Sequence, residues 1–228
     1  MSTLNKIKVI SFDMDSTLCD FNAVMIKALT STINEIAKQN PKAASKLTVQ
    51  KLISIRNEVE KKVGPGVSHE EIRKTAFREA LESVQVFDET FVEQIYSHYM
   101  KERFSNIVLY PDVVSVLEQL RHKYRLGVVT NGNSYPEKMG LGEYFDFALF
   151  SQDIGIRKPD PRIFYEALKL ASCTSEELLH VGDSERDDVK GAFNAGVSSV
   201  LLNRTGKTVD SNSDYVVSSM FELAEMLL

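Results

Sequence analysis

The chain has 228 residues, of which 43% are hydrophobic and 26% charged, as is typical of a globular protein with a sizeable core. Its net charge of −5 argues against a nucleic-acid polymer as partner, but it does not exclude a nucleotide as substrate. The two cysteines, Cys19 and Cys173, are too few for a disulfide framework. No apolar run reaches the roughly 20 residues of a membrane span. We therefore expect a cytoplasmic protein without a signal peptide or a membrane-spanning segment.

The first predicted strand ends in two carboxylates. Val9, Ile10 and Phe12 are β-branched or aromatic and predict a short buried strand. Asp13 and Asp15 follow it, and alternate side chains of an extended chain point to the same side. Two carboxylates that point to the same side raise the free energy of the folded state unless a cation, a proton or backbone amides stabilise them. The pair therefore predicts a partner, and Mg²⁺ suits oxygen ligands; a solvated acidic turn is the alternative.

A helical segment follows this motif. Apolar residues recur at the 3.6-residue period of helices, and no strand interrupts the pattern before about residue 106. Helices are predicted to begin near Phe21, Val49, Ser68 and Thr90. Helix boundaries are predicted at Asn40-Pro41, at Gly64-Pro65-Gly66, and at a capping box formed by Ser68 and Glu71. The segment therefore predicts a helical bundle, residues 19–106, inserted into an α/β core made of residues 1–18 and 107–228.

Strands alternate with helices in the rest of the chain. The predicted strands are Leu126–Thr130, Phe147–Phe150, Leu178–Val181, Val200–Leu202 and Tyr215–Val217. One helix is predicted to begin with Asp160 as N-cap and Pro161 as its first residue. A second helix is predicted to bury one face, which carries Val189, Ala192 and Phe193. This alternation predicts an α/β fold, a Rossmann-like parallel sheet with helices on both faces, plus the inserted α-helical bundle cap.

Polar residues collect where three of these strands end. Thr130 and Asn131 end one strand, Gly182 and Asp183 end another, and Asp13 follows the first. In parallel α/β sheets, ligands bind outside the carboxyl ends of the strands. We therefore expect these residues to form one site.

The motifs, taken in order, resemble those of one family. They are Asp13-x-Asp15-x-Thr17, the strand-ending Thr130, Lys158-Pro159, and Gly182-Asp183 with Asp188. This set resembles the haloacid dehalogenase-like hydrolase superfamily, in its phosphatase branch, and the helical insert resembles the C1-type cap of that family. One departure is Ser16, where glycine is usual. Serine there also occurs in phosphoserine phosphatases, but the segment Gly182–Asp188 is unlike theirs.

The resemblance implies a Mg²⁺-dependent phosphohydrolase that acts on a small phosphorylated metabolite. Asp13 would be the nucleophile that forms an aspartyl-phosphate. Asp15 would protonate the leaving oxygen and then activate water. The other implied roles are metal binding by Asp13, Asp183, Asp188 and the backbone carbonyl of Asp15, and phosphate binding by Thr130, Lys158 and the amides near Asn131.

Four alternative functions stay open. A 2-haloacid dehalogenase also uses an aspartate nucleophile, but in that branch the position of Asp15 is not acidic. A sugar phosphomutase would keep Asp15 and return the phosphoryl group to a sugar. A phosphonate hydrolase would need a cap lysine for a Schiff base, and a non-enzymatic binding module would need none of the acids. The chain is expected to be a monomer or a homodimer.

The sequence allows two roles for three charged residues. Arg73, Lys74 and Arg78 share one predicted cap helix, where they meet an anionic substrate or form the solvated face. We interpret His180 as a packed strand residue and Asp187 as solvated.

Overall fold

The structure is a computed structural model that describes residues 3–64, 67–206, 208 and 210–228. The chain divides into two compact units: Met1–Asp20 with Leu109–Leu228, and Phe21–Val108. The predicted domain boundaries after residues 18 and 106 lie two residues earlier than these. No helix within the described residues is long and apolar enough to cross a membrane.

The first unit is built on a six-stranded sheet in which every neighbouring pair is parallel. The strands are β1 Val9–Phe12, β2 Arg125–Thr130, β3 Phe147–Phe150, β4 Leu178–Gly182, β5 Ser198–Leu202 and β6 Tyr215–Val217. Their order across the sheet is β3-β2-β1-β4-β5-β6. All four residues of β1 are buried, which explains its apolar composition. The predicted α/β fold with a parallel sheet is confirmed.

Helices cover both faces of this sheet. They are α6 Val113–Leu120, α7 Ser151–Ile154, α8 Arg162–Ala171, α9 Lys190–Asn194 and α10 Met220–Leu227. On one face, Ile163 and Phe164 of α8 pack against Val129 and Leu149 of the sheet. The apolar stripe of α8 therefore closes the core under β2 and β3.

Two local predictions need correction. Phe193 was predicted to face inward but is 72% exposed. A π-helical turn, Glu185–Val189, precedes the short helix α9, and its extra residue per turn breaks the 3.6-residue pattern on which the prediction depended. The helix predicted to begin at Pro161 begins at Arg162 instead. Its N-cap is therefore Pro161 and not Asp160, although Oδ1 of Asp160 accepts a hydrogen bond from the Arg162 amide at 3.0 Å.

The regular secondary structure described for the second unit consists of helices. Its helices are α1 Phe21–Gln39, α2 Pro41–Ala44, α3 Val49–Val63, α4 His69–Glu82 and α5 Glu89–Ser105. The predicted break at Asn40-Pro41 is confirmed, and so is Ser68 as the N-cap of α4, since its hydroxyl accepts a hydrogen bond from the Glu71 amide at 3.1 Å. Gly64 ends α3, whereas Pro65 and Gly66 lie outside the described residues.

Candidate active site

The strand that carries Asp13 lies between the two other strands that end in polar residues. β1 pairs with β2 on one side and with β4 on the other. The amide of Asp13 donates a hydrogen bond to the carbonyl of Val181 at 2.9 Å, so the backbone of Asp13 is held by the neighbouring strand. The predicted convergence at the carboxyl edge of the sheet therefore follows from the strand order.

Lys158 connects two of the acids. Its Nζ lies 2.7 Å from Oδ1 of Asp13 and 2.5 Å from Oδ1 of Asp188, and it also donates to the carbonyl of Val129 at 2.8 Å. The side chain is almost fully buried. Burial opposes the charge of Lys158, but the two carboxylates raise its pKa above the ordinary value. The lysine is therefore a fixed cation at the centre of the acidic cluster.

Asn131 holds the loop that carries this lysine. Its Oδ1 accepts a hydrogen bond from the backbone amide of Lys158 at 2.7 Å, and its Nδ2 donates to the backbone carbonyl of Lys158 at 2.9 Å. The side chain of Asn131 is thus used to position Lys158.

Asp188 is held from three directions. Oδ1 lies 2.9 Å from Nε2 of His180, in addition to its contact with Lys158, and Oδ2 accepts a hydrogen bond from the amide of Ser184 at 2.9 Å. Burial would raise the pKa of Asp188, but Lys158 and His180 together lower it below the ordinary value. Asp188 is therefore the acid of the cluster that stays ionised most readily.

His180 has a second role besides packing. Its ring packs edge-on against Phe164, as expected for a strand residue, with 4.9 Å between centroids. Its Nδ1 also lies 2.9 Å from the hydroxyl of Ser11 while Nε2 contacts Asp188. Burial lowers the pKa of His180, although Asp188 opposes this effect. The histidine therefore links β1 to Asp188, a role that the sequence pattern did not indicate.

Three carboxylates lie close enough to share a metal ion. One oxygen from each of Asp13, Asp183 and Asp188 lies within 4.8 Å of the others. Thr17 donates a hydrogen bond to Oδ1 of Asp183 at 3.1 Å, which ties the first motif to the last. The carboxylate of Asp15, which was predicted to contribute only its backbone carbonyl, lies outside this group.

The electrostatics of the cluster favour a bound cation. Burial raises the pKa of Asp13 to about 7, and the neighbouring Asp188 and Asp183 raise it too, while Lys158 opposes them. Burial, followed by the charge of Asp188, raises the pKa of Asp183 to about 6, although its side chain reaches solvent. One lysine therefore does not neutralise three acids, and a divalent cation would relieve the remaining repulsion.

Asp15 contacts residues from the loop after β2. The hydroxyl of Ser134 donates a hydrogen bond to its Oδ1. Gly132 lies so close that a Cβ there would be 2.5 Å from Oδ2 of Asp15. The Gly132 amide donates to the hydroxyl of Thr130 at 3.0 Å, which tightens this turn. Ser134 was not predicted, because no strand end or motif marks it in the sequence.

Two further features shape the first motif. Ser16 has φ +69°, a left-handed conformation that favours glycine and explains why glycine is usual at this position. Arg204 donates from Nε to the carbonyl of Thr17 at 3.0 Å and forms a bidentate ion pair with Asp112, with both distances 3.0 Å. Arg204 therefore fixes the loop behind the two catalytic candidates, and no local pattern identified it.

The prediction that Asp187 is solvated is only partly correct. Its side chain is about one-third exposed, and burial together with Asp188 raises its pKa. Its Oδ2 lies 3.5 Å from Nδ2 of Asn131, so it borders the lysine loop.

Comparisons with known proteins identify the family of the chain. Residues 7–196 match the family model of haloacid dehalogenase-like hydrolases. The chain is 28% identical to glyceraldehyde 3-phosphate phosphatase of Methanothermobacter thermautotrophicus, over 92% of this chain and 91% of that protein. It is 24% identical to mouse (Mus musculus) N-acylneuraminate-9-phosphatase, over 98% and 95% of the two chains. The crystal structure of 2-haloacid dehalogenase from Pseudomonas syringae pv. tomato is similar with a TM-score of 0.82 and 32% identity, covering 97% of this chain and 98% of that one. The chain therefore belongs to the haloacid dehalogenase-like hydrolase family.

Proposed function

We propose that this hydrolase is a Mg²⁺-dependent phosphatase that cleaves small phosphomonoesters through an aspartyl-phosphate on Asp13. The observation that carries the proposal is the contact of Lys158 with Asp13 and Asp188, at 2.7 and 2.5 Å, beside a second acid at Asp15. The names of the two curated relatives described above support a phosphoric monoester hydrolase.

The acidic group fits a magnesium ion. Carboxylate oxygens are the ligands that Mg²⁺ prefers, and three of them lie within 4.8 Å of one another. Asp13, Asp183 and Asp188 would hold the ion, with the backbone carbonyl of Asp15 as a further ligand. Bound Mg²⁺ would supply the positive charge that keeps Asp13 ionised and neutralises phosphate oxygens.

The reaction would proceed in two displacements at phosphorus. An oxygen of Asp13 attacks, the bond from phosphorus to the leaving oxygen breaks, and Asp15 donates a proton to that oxygen. Water then attacks the aspartyl-phosphate and gives a proton to Asp15, which releases inorganic phosphate and regenerates Asp13. The Thr130 hydroxyl and the amides near Asn131 would bind the phosphate oxygens, and the positive charge of Lys158, held beside Asp13, would stabilise the charge of each transition state.

Hydrolysis of 4-nitrophenyl phosphate tests this proposal directly. We expect turnover with Mg²⁺, loss of turnover when a chelator removes the metal, and recovery when Mg²⁺ is restored. Asp13→Asn should lower kcat by about 10³-fold or more, because an amide is a poor nucleophile. Asp153→Asn, in the same unit but in the short helix α7, is the matched control and should keep full activity.

Two results would contradict the proposed mechanism. Full turnover in Asp13→Asn would exclude Asp13 as nucleophile. Turnover that is unaffected by the chelator would exclude the metal-dependent mechanism. A panel of phosphorylated sugars, acids and nucleotides would then identify the preferred substrate.

A 2-haloacid dehalogenase is the second candidate, favoured by the name of the similar crystal structure. Such an enzyme attacks carbon and needs no Mg²⁺, and the acid at Asp15 argues against it. Chloride release from 2-chloropropionate in the presence of a chelator would favour the dehalogenase, whereas phosphate release without chloride release favours the phosphatase.

A further inference from the structure

Arg204 lies where three segments of the first unit meet. It follows β5, and its Nε donates a hydrogen bond to the backbone carbonyl of Thr17, in the loop after β1, at 3.0 Å. Nη1 and Nη2 each lie 3.0 Å from an oxygen of Asp112, which directly precedes α6. The guanidinium also lies over the ring of Tyr110, with 4.0 Å from Cζ to the ring centroid. One side chain therefore joins the loops after β1 and β5 to the segment before α6.

These contacts fix the orientation of the guanidinium. The side chain of Arg204 is 15% exposed and that of Asp112 is 6% exposed. A planar guanidinium that pairs with both oxygens of a carboxylate and lies over an aromatic ring cannot turn without losing contacts on both sides. Its Nε is thereby held against the carbonyl of Thr17. The position of this part of the first motif therefore depends on the ion pair.

Asp112 is itself held in place. Its Oδ2 accepts a hydrogen bond from the backbone amide of Met220, the first residue of α10, at 2.9 Å. Burial would raise the pKa of Asp112, but Arg204 and the Met220 amide lower it below the ordinary value. Asp112 is therefore ionised at neutral pH, and the ion pair is anchored to a helix and not only to loops.

Thr17 carries this constraint to the acidic cluster. Its side chain is fully buried, and its hydroxyl donates a hydrogen bond to Oδ1 of Asp183 at 3.1 Å. Asp13 and Asp188 are buried and both contact Lys158, whereas Asp183 is exposed. An exposed carboxylate has more freedom to turn, so a fixed donor at one of its oxygens restricts it most. Asp183 is therefore the acid of the cluster whose orientation depends on the first motif.

We propose that Arg204 is a positioning residue for Asp183, which acts through Thr17 and raises the affinity of the acidic cluster for Mg²⁺. The inference rests on the metal site of the proposed function. A carboxylate that is already restricted loses less conformational freedom when it binds an ion. Groups that hold metal ligands from outside commonly strengthen metal binding in this way.

Calorimetric titration of the full chain with Mg²⁺, without substrate, tests this inference. Arg204→Ala should weaken Mg²⁺ binding about fivefold or more, because the restraint on Asp183 is lost. Arg125→Ala is the matched control. Arg125 also donates to a backbone carbonyl, that of Ala171 at 2.7 Å, and lies 3.8 Å from Asp146, but it lies at the amino end of β2. Its replacement should leave the Mg²⁺ affinity unchanged, and equal losses in the two variants would overturn the proposal.

A double-mutant cycle with Thr17→Val tests the route through Thr17. Valine resembles threonine in shape but lacks the hydroxyl that contacts Asp183. In the Thr17→Val background, Arg204→Ala should weaken Mg²⁺ binding by less than about twofold, because the link is already broken. If Arg204→Ala caused its full loss again in this background, Arg204 would act on the fold in general and the assignment to Asp183 would be wrong.

A second variant keeps the test informative if Arg204→Ala fails to fold, since that change leaves Asp112 without the arginine. Arg204→Lys retains a positive charge beside Asp112. A lysine lacks the planar fork, so it cannot pair with both oxygens of Asp112 and donate to Thr17 at once. The melting temperature should stay close to that of the parent, while the Mg²⁺ affinity falls about threefold or more. Undiminished Mg²⁺ affinity in a folded Arg204→Lys variant would overturn the role of the guanidinium.

The parent chain distinguishes this inference from the proposed function. If the parent binds Mg²⁺ and Arg204→Ala binds it as tightly, the inference alone fails. If Mg²⁺ binding depends on Arg204 but the parent hydrolyses no phosphomonoester, the phosphatase proposal alone fails. If the parent does not bind Mg²⁺, both are overturned.

Discussion

Ser134 donates a hydrogen bond to Oδ1 of Asp15, which joins the loop after β2 to the loop after β1. This contact fixes the carboxylate that is proposed to donate and accept the proton. We predict that Ser134→Ala lowers kcat by about tenfold or more, because a general acid must be held within hydrogen-bond reach of the atom that it protonates. KM should change little. Steady-state hydrolysis of 4-nitrophenyl phosphate measures both. Ser115→Ala, which also removes a serine hydroxyl from this unit, is the control, and an equal loss of kcat there would contradict the assignment.

The link from Ser11 through His180 to Asp188 predicts an effect on metal affinity. His180→Asn keeps a polar group near Nδ1 but loses the contact with Asp188, whereas His180→Gln reaches toward Nε2 and keeps it. We expect His180→Asn to weaken Mg²⁺ binding about tenfold or more, as loss of a residue that orients a metal ligand typically does, and His180→Gln to weaken it less. Titration with Mg²⁺ without substrate measures this, and equal affinities in both variants would disprove the orienting role.

Alanine substitutions at two glycines of the site should impair two different properties, Mg²⁺ binding and kcat. A Cβ at Gly182 would lie 2.1 Å from Cγ of Asp188, and one at Gly132 would lie 2.5 Å from Oδ2 of Asp15. Gly182→Ala should therefore displace Asp188 and weaken Mg²⁺ binding. Gly132→Ala should displace Asp15 and lower kcat with little change in Mg²⁺ affinity.

Each of these glycine variants controls for the other. Both add one methyl group at the carboxyl edge of the sheet. If both lowered the melting temperature and lost Mg²⁺ affinity equally, a general disturbance of the fold would explain the results, and the separate assignments would be wrong.

The raised pKa of Asp13 predicts how stability depends on pH without metal. The folded state holds the proton of Asp13 up to about pH 7, whereas the unfolded value is 3.8. Ionising Asp13 therefore lowers the free energy of unfolding as pH rises through this window. Asp13→Asn cannot ionise, so its stability relative to the parent should increase between pH 4 and 8 by ~1 kcal/mol or more.

Urea unfolding in the presence of a chelator, at several pH values, checks this prediction. Asp160→Asn is the control, because Arg162 lowers the pKa of Asp160 and its contribution should be constant above pH 5. A flat or falling difference for Asp13→Asn over this range would mean that the pocket does not disfavour the ionised carboxylate.

The sheet and the centre of the site could be predicted because they depend on regular patterns. Alternating apolar strands and helices predicted all six strands, and polar residues at strand ends predicted the meeting of Asp13 and Asp183. Strand order then brings these ends together without any detailed loop geometry. Lys158 was predicted from its motif alone, since no periodicity brings a loop residue to the sheet.

The surrounding contacts could not be predicted, because they depend on the conformations of single loops. Ser134 and Arg204 lie outside every motif and reach the site through turns of irregular shape. His180 looked like an ordinary strand residue, and its polar contacts appear only when β1 and the π-helical turn are in place. The same turn misled the prediction for Phe193. The sequence also could not show that Arg73 is buried whereas Lys74 pairs with Glu70 and Glu93 and Arg78 pairs with Glu89, because all three are simply charged residues of one predicted helix.

The central position of β1 has a consequence for how the protein is made. β1 is synthesised first among the strands, yet both strands that flank it, β2 and β4, come from the part of the chain after the helical insert. Until the ribosome has made the second half of the chain, β1 is therefore an apolar strand without a partner on either edge. We expect nascent chains that end before β4 to depend on chaperones and to aggregate when released, whatever the stability of the finished enzyme.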